Sequence, residues 1–88
     1  MTDTLDKYFK NERLLTIPKK HHVKLEIFAF FHTLFEEDTS YTEQAINEKI
    51  KPYYDDYAII RRYLVDYNFL KRDKFGQSYQ KVRQNEHE

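Results

Sequence analysis

The sequence predicts an α+β domain of winged helix-turn-helix type, with a short strand, three helices and a C-terminal β-hairpin as the wing. Three amphipathic segments with helical spacing follow one another from residue 18 to residue 68. Only a short link separates the last two, as in a helix-turn-helix. The segment FLKRDKFGQSYQKV has the pattern of a hairpin around the only glycine, Gly76, which supplies a positive φ. The 88 residues suffice for one domain, with a core over about 12–83.

The first residues predict a lead-in and one strand. Residues 1–12 are polar, with Leu5, Tyr8 and Phe9 able to form a short amphipathic turn. LLTIP at 14–18 is apolar and β-branched and stops at a proline, which cannot continue a strand ladder. It therefore predicts the short strand. At the other end, QNEHE at 84–88 is predicted to be frayed.

The first helix is predicted from about Pro18 to Phe35, since proline suits the first turn of a helix. Five apolar residues share one face of it: Val23, Ile27, Phe30, Phe31 and Leu34. Phe28 and Phe35 widen that face, and Leu25 falls on the opposite side. The apolar arc is broader than packing within one chain needs. Leu25 and Phe28 are therefore predicted to help pair two chains into a homodimer.

The second helix follows EEDTS at 36–40, a run of polar residues that predicts a turn. Thr42 can cap its start, or Ser40 and Glu43 can form a capping box one step earlier. Its inward face is predicted from four residues: Ala45, Ile46, Ile50 and Tyr53. Pro52 limits how regular its end can be.

The third helix is predicted to start at Asp55 or Asp56, each a good N-cap, and to end at Asn68. The inward stripe has the spacing i, i+3, i+4, i+7: Ile60, Tyr63, Leu64 and Tyr67. Ala58, Arg62 and Val65 then lie on the outer side, with Arg61 on the flank. In a helix-turn-helix this outer side enters the major groove of DNA.

Charge is unevenly distributed although the formal net charge is zero. Residues 36–56 carry two basic and seven acidic side chains, a net of −5, whereas residues 57–83 carry seven basic and two acidic ones, a net of +5. A neutral total argues against indiscriminate nucleic-acid binding. The asymmetry indicates a directed surface, unless the two blocks neutralise each other.

Several classes of function have no support in the sequence. The absence of cysteine excludes disulfides, thiolate nucleophiles and Cys-based zinc sites. Without a glycine-rich phosphate loop, an enzyme or a cofactor is not expected. His21, His22 and His32 lack the i, i+4 spacing that would let two of them converge on a metal. The start does not resemble a signal peptide, and the longest apolar stretch, IFAFFHTLF, is too short for a membrane span. A soluble cytoplasmic protein is expected.

Three segments together resemble a known family of unknown function: LTIP at 15–18, YTEQAINEKI at 41–50 and DDYAIIRRYLVDYNFLKRDKFGQSY at 55–79. Members of that family are small bacterial domains, found alone or behind an ArsR-type helix-turn-helix regulator domain. The shared positions include Asn47, Asp56, Arg61, Arg62, Leu64, Leu70, Arg72, Gly76 and Tyr79. The resemblance covers roughly residues 12–82. It implies a role in transcription regulation, a label that often comes from the attached domain.

Two adjacent arginines are the first candidates for DNA contact. Arg62 is predicted at base edges or phosphate, and Arg61 at the DNA backbone, because a guanidinium can bind guanine through two hydrogen bonds. The alternative is structural. One arginine would pair with an acidic residue of the second helix, Glu43 or Glu48, and fix the two helices together.

The hairpin carries the other candidates, Lys71, Arg72 and Lys74, with Lys81 on the return strand. On phosphate these side chains would position the domain without reading sequence. Alternatively, they guard an edge strand against aggregation, a common use of lysine.

Acidic residues near the predicted DNA surface oppose this hypothesis. Glu36, Glu37 and Asp38 precede the second helix, and Asp55 and Asp56 open the third, where phosphate repulsion would be costly. The alternative function is a protein-interaction module of the same fold. Its acidic and basic surfaces would bind a regulator protein or another copy of the chain.

Overall fold

Four helices and five short strands follow one another in residues 3–83, the part of the chain that the computed structural model describes. In chain order they are α1 (Asp3–Tyr8), β1 (Phe9–Lys10), β2 (Arg13–Leu14), α2 (His21–His32), β3 (Ser40–Tyr41), α3 (Glu43–Ile50), α4 (Tyr57–Asp66), β4 (Leu70–Arg72) and β5 (Tyr79–Lys81). They form a small α+β domain with two antiparallel sheets, which confirms the α+β part of the prediction. The frayed end predicted at 84–88 lies outside the described residues.

The end of the predicted lead-in folds into a small hairpin. β1 and β2 pair with Phe9 opposite Leu14, and the loop residues Asn11 and Glu12 have φ of 53° and 66°. Such a pair of positive φ angles is the requirement of a two-residue type I′ turn. The strand predicted at 14–18 is wrong beyond Leu14. The Leu15 N–H still donates to the Tyr8 carbonyl at 2.8 Å, but Tyr8 is the last residue of α1, so the ladder goes no further.

The C-terminal hairpin, β4 with β5, is present as predicted, and Gly76 has a φ of 69°. Its third strand comes from an unexpected segment. β3 pairs with β5, so the strand order is β3-β5-β4, and Ser40 is a strand residue rather than part of a turn. Tyr41 lies opposite Tyr79, and its ring contacts Phe35 at 5.5 Å. Packing beyond the strand itself therefore holds this two-residue element.

α2 is shorter than the predicted helix Pro18–Phe35, because it begins at His21 and ends at His32. Ile27, Phe28 and Phe31 are completely buried. The prediction that Phe28 offers surplus surface for a second chain is wrong. Its ring stacks on Tyr63 and Tyr67 of the same chain, at 5.1 and 5.5 Å between ring centroids. Leu25 is half-buried against the same core.

α3 and α4 begin as the capping rules predict. The Thr42 hydroxyl accepts a hydrogen bond from the Ala45 N–H, and the Asp56 carboxylate accepts one from the Ile59 N–H, at 3.1 and 3.2 Å. Asp56 rather than Asp55 is thus the cap. After α4, Asn68 has a φ of 64°, a left-handed conformation that ends the helix. The buried residues of the two helices are Ile46, Ile50, Ile60 and Leu64.

A buried histidine ties α2 to the end of β5. His32 is 2% exposed, and its Nε2 lies 2.5 Å from the Val82 carbonyl oxygen. Because that oxygen can only accept, Nε2 carries the proton and donates it. The sequence did not single out this contact.

None of the helices in residues 3–83 combines the length and the apolar character that crossing a membrane requires.

Candidate nucleic-acid interface

The outer side of α4 and the C-terminal hairpin enclose an open cleft of about 620 Å³. We call it the α4–hairpin cleft. Residues of α4 form one wall, and Arg72 of β4 and Tyr79 of β5 form the other. Its lining is Asp56, Ala58, Ile59, Arg61, Arg62, Val65, Asp66, Arg72 and Tyr79. Three guanidinium groups thus face a concave surface with a partly apolar floor.

Arg61 lies at the base of the cleft and joins α4 to α3. Its side chain is 20% exposed, and its Nη1 donates to Asn47 Oδ1 at 2.5 Å. Nη2 lies 3.7 Å from Glu43 Oε1. This is the pairing with an acidic residue of the second predicted helix that the sequence offered as an alternative. A guanidinium held in this way sets the angle between the two helices.

Tyr79 reaches the same carboxylate from β5. Its ring is 1% exposed, and its hydroxyl donates to Glu43 Oε1 at 3.0 Å. Burial, and then this hydrogen bond, raise the pKa of the Tyr79 hydroxyl above its usual value of 10.0. The phenol therefore stays protonated and keeps donating at neutral pH. Glu43 is consequently a junction between α3, α4 and the hairpin.

We expect Arg61→Ala to lower the free energy of unfolding by about 1–3 kcal/mol, because it leaves Asn47 and Glu43 without their cationic partner. Denaturation by urea, followed by circular dichroism, measures this change. Arg62→Ala is the matched control. It removes the same charged group from the next position, at an exposed site, and should change stability by less than about 0.5 kcal/mol. Equal effects of the two variants would contradict a bracing role for Arg61.

Arg62 points outward from the same helix. Its side chain is 78% exposed, and its Nε lies 3.8 Å from Asp66 Oδ2 one turn further on. Exposed pairs of this spacing contribute only about 0.3–0.5 kcal/mol. Arg62 can therefore exchange this partner for another anion at little cost.

The carboxylates at the start of α4 are engaged within the domain. Asp55 pairs with Arg13 of β2 at 2.5 Å, and Arg13 also donates to the Pro52 carbonyl at 3.0 Å. Asp56 accepts the capping hydrogen bond of the helix. The N-terminal hairpin thus brings a cation beside the acidic pair. Arg13 was missed at the sequence level, because nothing between positions 13 and 55 predicts their contact.

The hairpin candidates divide between two sides of the sheet. Arg72 lies opposite Tyr79 and lines the cleft, whereas Lys71 lies opposite Gln80 on the other face. Lys71, Arg72 and Lys74 are all exposed. Lys81 is not brought to this surface: its Nζ donates to the Phe35 carbonyl at 3.0 Å. The structure thus brings together Arg61, Arg62 and Arg72, with Lys74 in the adjoining loop.

Within residues 3–83 no three His, Asp or Glu side chains converge as metal ligands would. The groups that line the cleft are arginines, two aspartates, the Tyr79 side chain and apolar residues of α4.

Fold and cleft define a small α+β domain with a groove lined by three arginines and two aspartates along the outer side of α4. The chain belongs to a family described as an uncharacterized protein conserved in bacteria (DUF2087), whose model matches residues 13–81. The match includes every residue of the α4–hairpin cleft. Neither a curated protein nor a solved structure matches the chain.

Proposed function

We propose that this domain binds duplex DNA, with α4 in the major groove and the β4–β5 hairpin on phosphate as the wing of a winged helix-turn-helix. The order of elements from α2 to β5 supports this arrangement. β3, between the first two helices of the set, pairs beside the hairpin, and α4 follows α3 after a short link. The sequence resemblance to domains that occur alone or attached to ArsR-type regulators is consistent with a DNA-binding role.

The observation that carries the proposal is that both acids at the start of α4 have partners within the domain, whereas three cations around the same helix keep exposed side chains. Asp55 and Asp56, the main objection to DNA at the start of α4, are held by Arg13 and by the helix N-terminus. Contacts of this kind reduce the negative potential that a phosphate would meet. Arg62, Arg72 and Lys74 remain exposed around the same helix.

Each cation then has a distinct role. Arg62, with the small side chain of Ala58 one turn before it, would reach base edges from α4. Arg72 and Lys74, joined by Lys71 from the outer face of the hairpin, would bind phosphates and fix the orientation. Arg61 does not contact DNA itself, because its guanidinium holds α4 against α3.

Fluorescence anisotropy with a labelled random-sequence duplex, repeated over a salt series, tests the proposal. We expect binding near 50 mM salt, with the logarithm of the affinity falling by about 0.9 per phosphate contact for each unit of log salt. No binding at that salt concentration would contradict DNA binding and favour the protein-interaction module. Binding that does not depend on salt would contradict the assigned phosphate contacts.

A further inference from the structure

Phe75, in the loop of the C-terminal hairpin, is 72% exposed. A single exposed apolar residue is common on protein surfaces and has no meaning by itself. Phe75 differs because of the loop that carries it and the charges around it. The contacts that hold the loop are separate from those discussed above, and the charges are those of Lys74 and Arg72.

The loop is held in one conformation from within. The Asp73 carboxylate accepts hydrogen bonds from the N–H groups of Gln77 and Ser78, at 2.7 and 3.3 Å. The Asp73 N–H donates to the Ser78 carbonyl, and the Gly76 N–H donates to the Asp73 carbonyl. Gly76 takes the left-handed conformation that closes the turn. Phe75 is therefore presented at the tip of a braced hairpin, so little conformational entropy is lost when it binds.

The surroundings of the ring are cationic. The Lys74 Nζ lies 5.2 Å from the centroid of the Phe75 ring, and Arg72 lies on the strand that leads into the loop. The carboxylate of Asp73, in the same loop, is turned onto backbone N–H groups. A flat apolar group flanked by cations is complementary to a base step flanked by phosphates. Apolar side chains that enter DNA between base pairs do so from the minor groove and kink the duplex.

We propose that Phe75 inserts between two base pairs from the minor groove, beside the major groove that α4 occupies, and bends the DNA. Lys74 and Arg72 would neutralise the phosphates on either side of the opened step. This inference rests on the proposed function, because it needs the hairpin to lie on duplex DNA. The proposed function assigns only cationic side chains to the DNA surface. The inference adds to that surface one apolar side chain that distorts DNA.

Ligase-catalysed circularisation of a DNA fragment of about 100 bp tests the bend, since fragments below the ~150-bp persistence length seldom close unaided. The wild-type chain, at a concentration that saturates the DNA by anisotropy, should raise the rate at least about fivefold. Phe75→Ala should abolish this acceleration and leave the salt dependence of binding unchanged, because no charge is removed. Phe75→Leu keeps an apolar wedge and should retain most of the acceleration. Gln77→Ala, an exposed change in the same loop, should match the wild type.

The outcomes separate the inference from the function on which it rests. If the wild type binds DNA but does not speed its circularisation, the insertion of Phe75 is overturned and DNA binding still stands. Equal acceleration by the wild type and Phe75→Ala would do the same. No binding by the wild type would overturn the proposed function and the wedge with it. Equal melting temperatures of the wild type and Phe75→Ala are expected, because the ring is exposed, and they show that both variants are folded.

Discussion

Phe28→Ala is expected to destabilise the domain by about 3–5 kcal/mol, the range for phenylalanine truncation in a core. The ring has no exposed surface and stacks on Tyr63 of α4 and on Tyr67, the residue that follows that helix. Its removal deletes both stacking contacts and leaves a cavity between α2 and α4. A domain of this length has a free energy of unfolding of roughly 4–13 kcal/mol, so the change removes a large part of it. Urea denaturation followed by circular dichroism measures the loss.

Leu25→Ala on the same helix is the control, because Leu25 is only half-buried. Its effect should be clearly smaller than that of Phe28→Ala. The two variants also test the dimer surface that the sequence predicted on these residues. Light scattering at micromolar concentration should give the same mass for Phe28→Ala as for the wild type. A lower mass with unchanged stability would contradict a core role for Phe28 and restore the dimer surface.

Local rules predicted much of this fold. Thr42 and Asp56 cap helices through side-chain oxygens, and Asn68 and Gly76 act through a positive φ. These roles depend only on neighbouring residues, so the sequence offered each of them, although for both caps it left an alternative open. The same rules failed where long-range contacts decide. β3 has only two residues and no alternation to recognise, and it exists because β5 offers an edge to pair with. Phe28 looked like excess apolar surface because the sequence does not show that Tyr63 and Tyr67 cover it.

In the candidate site, too, local spacing was predicted correctly and long-range contacts were not. Helical spacing placed Arg62 outward and Arg61 on the flank, and Glu43 was among the expected partners of an arginine. Sequence spacing could not show that Lys81 turns to the Phe35 carbonyl. Nor could it show that Arg13, 42 residues before Asp55, would pair with it. Such contacts depend on the tertiary arrangement of segments, and each one changes which charges remain exposed beside α4.

Replacing Arg62, Arg72 and Lys74 together by glutamine is expected to reduce affinity for random-sequence duplex on the order of a hundredfold or more near 50 mM salt. Arg72 and Lys74 are the phosphate contacts among the three, so their loss should make the slope of log affinity against log salt shallower by about 0.9 each, nearly two units in total. All three side chains are exposed, so the variant should keep its fold. Anisotropy titrations over the salt series measure both quantities.

The matched control replaces Lys7, Lys19 and Lys20 by glutamine. It changes the net charge equally, at exposed lysines outside α4 and the hairpin. If α4 and the hairpin form the DNA surface, the control should retain most of the affinity and nearly the whole slope, because only contacts at the duplex release condensed counterions. If total charge governed binding, the two variants would weaken it alike. Equal losses would therefore contradict a defined interface on α4 and the hairpin, even though the wild type binds DNA. A large loss confined to the Arg62, Arg72 and Lys74 variant would locate the contact surface at the cleft and hairpin, with Arg61 as the brace behind it.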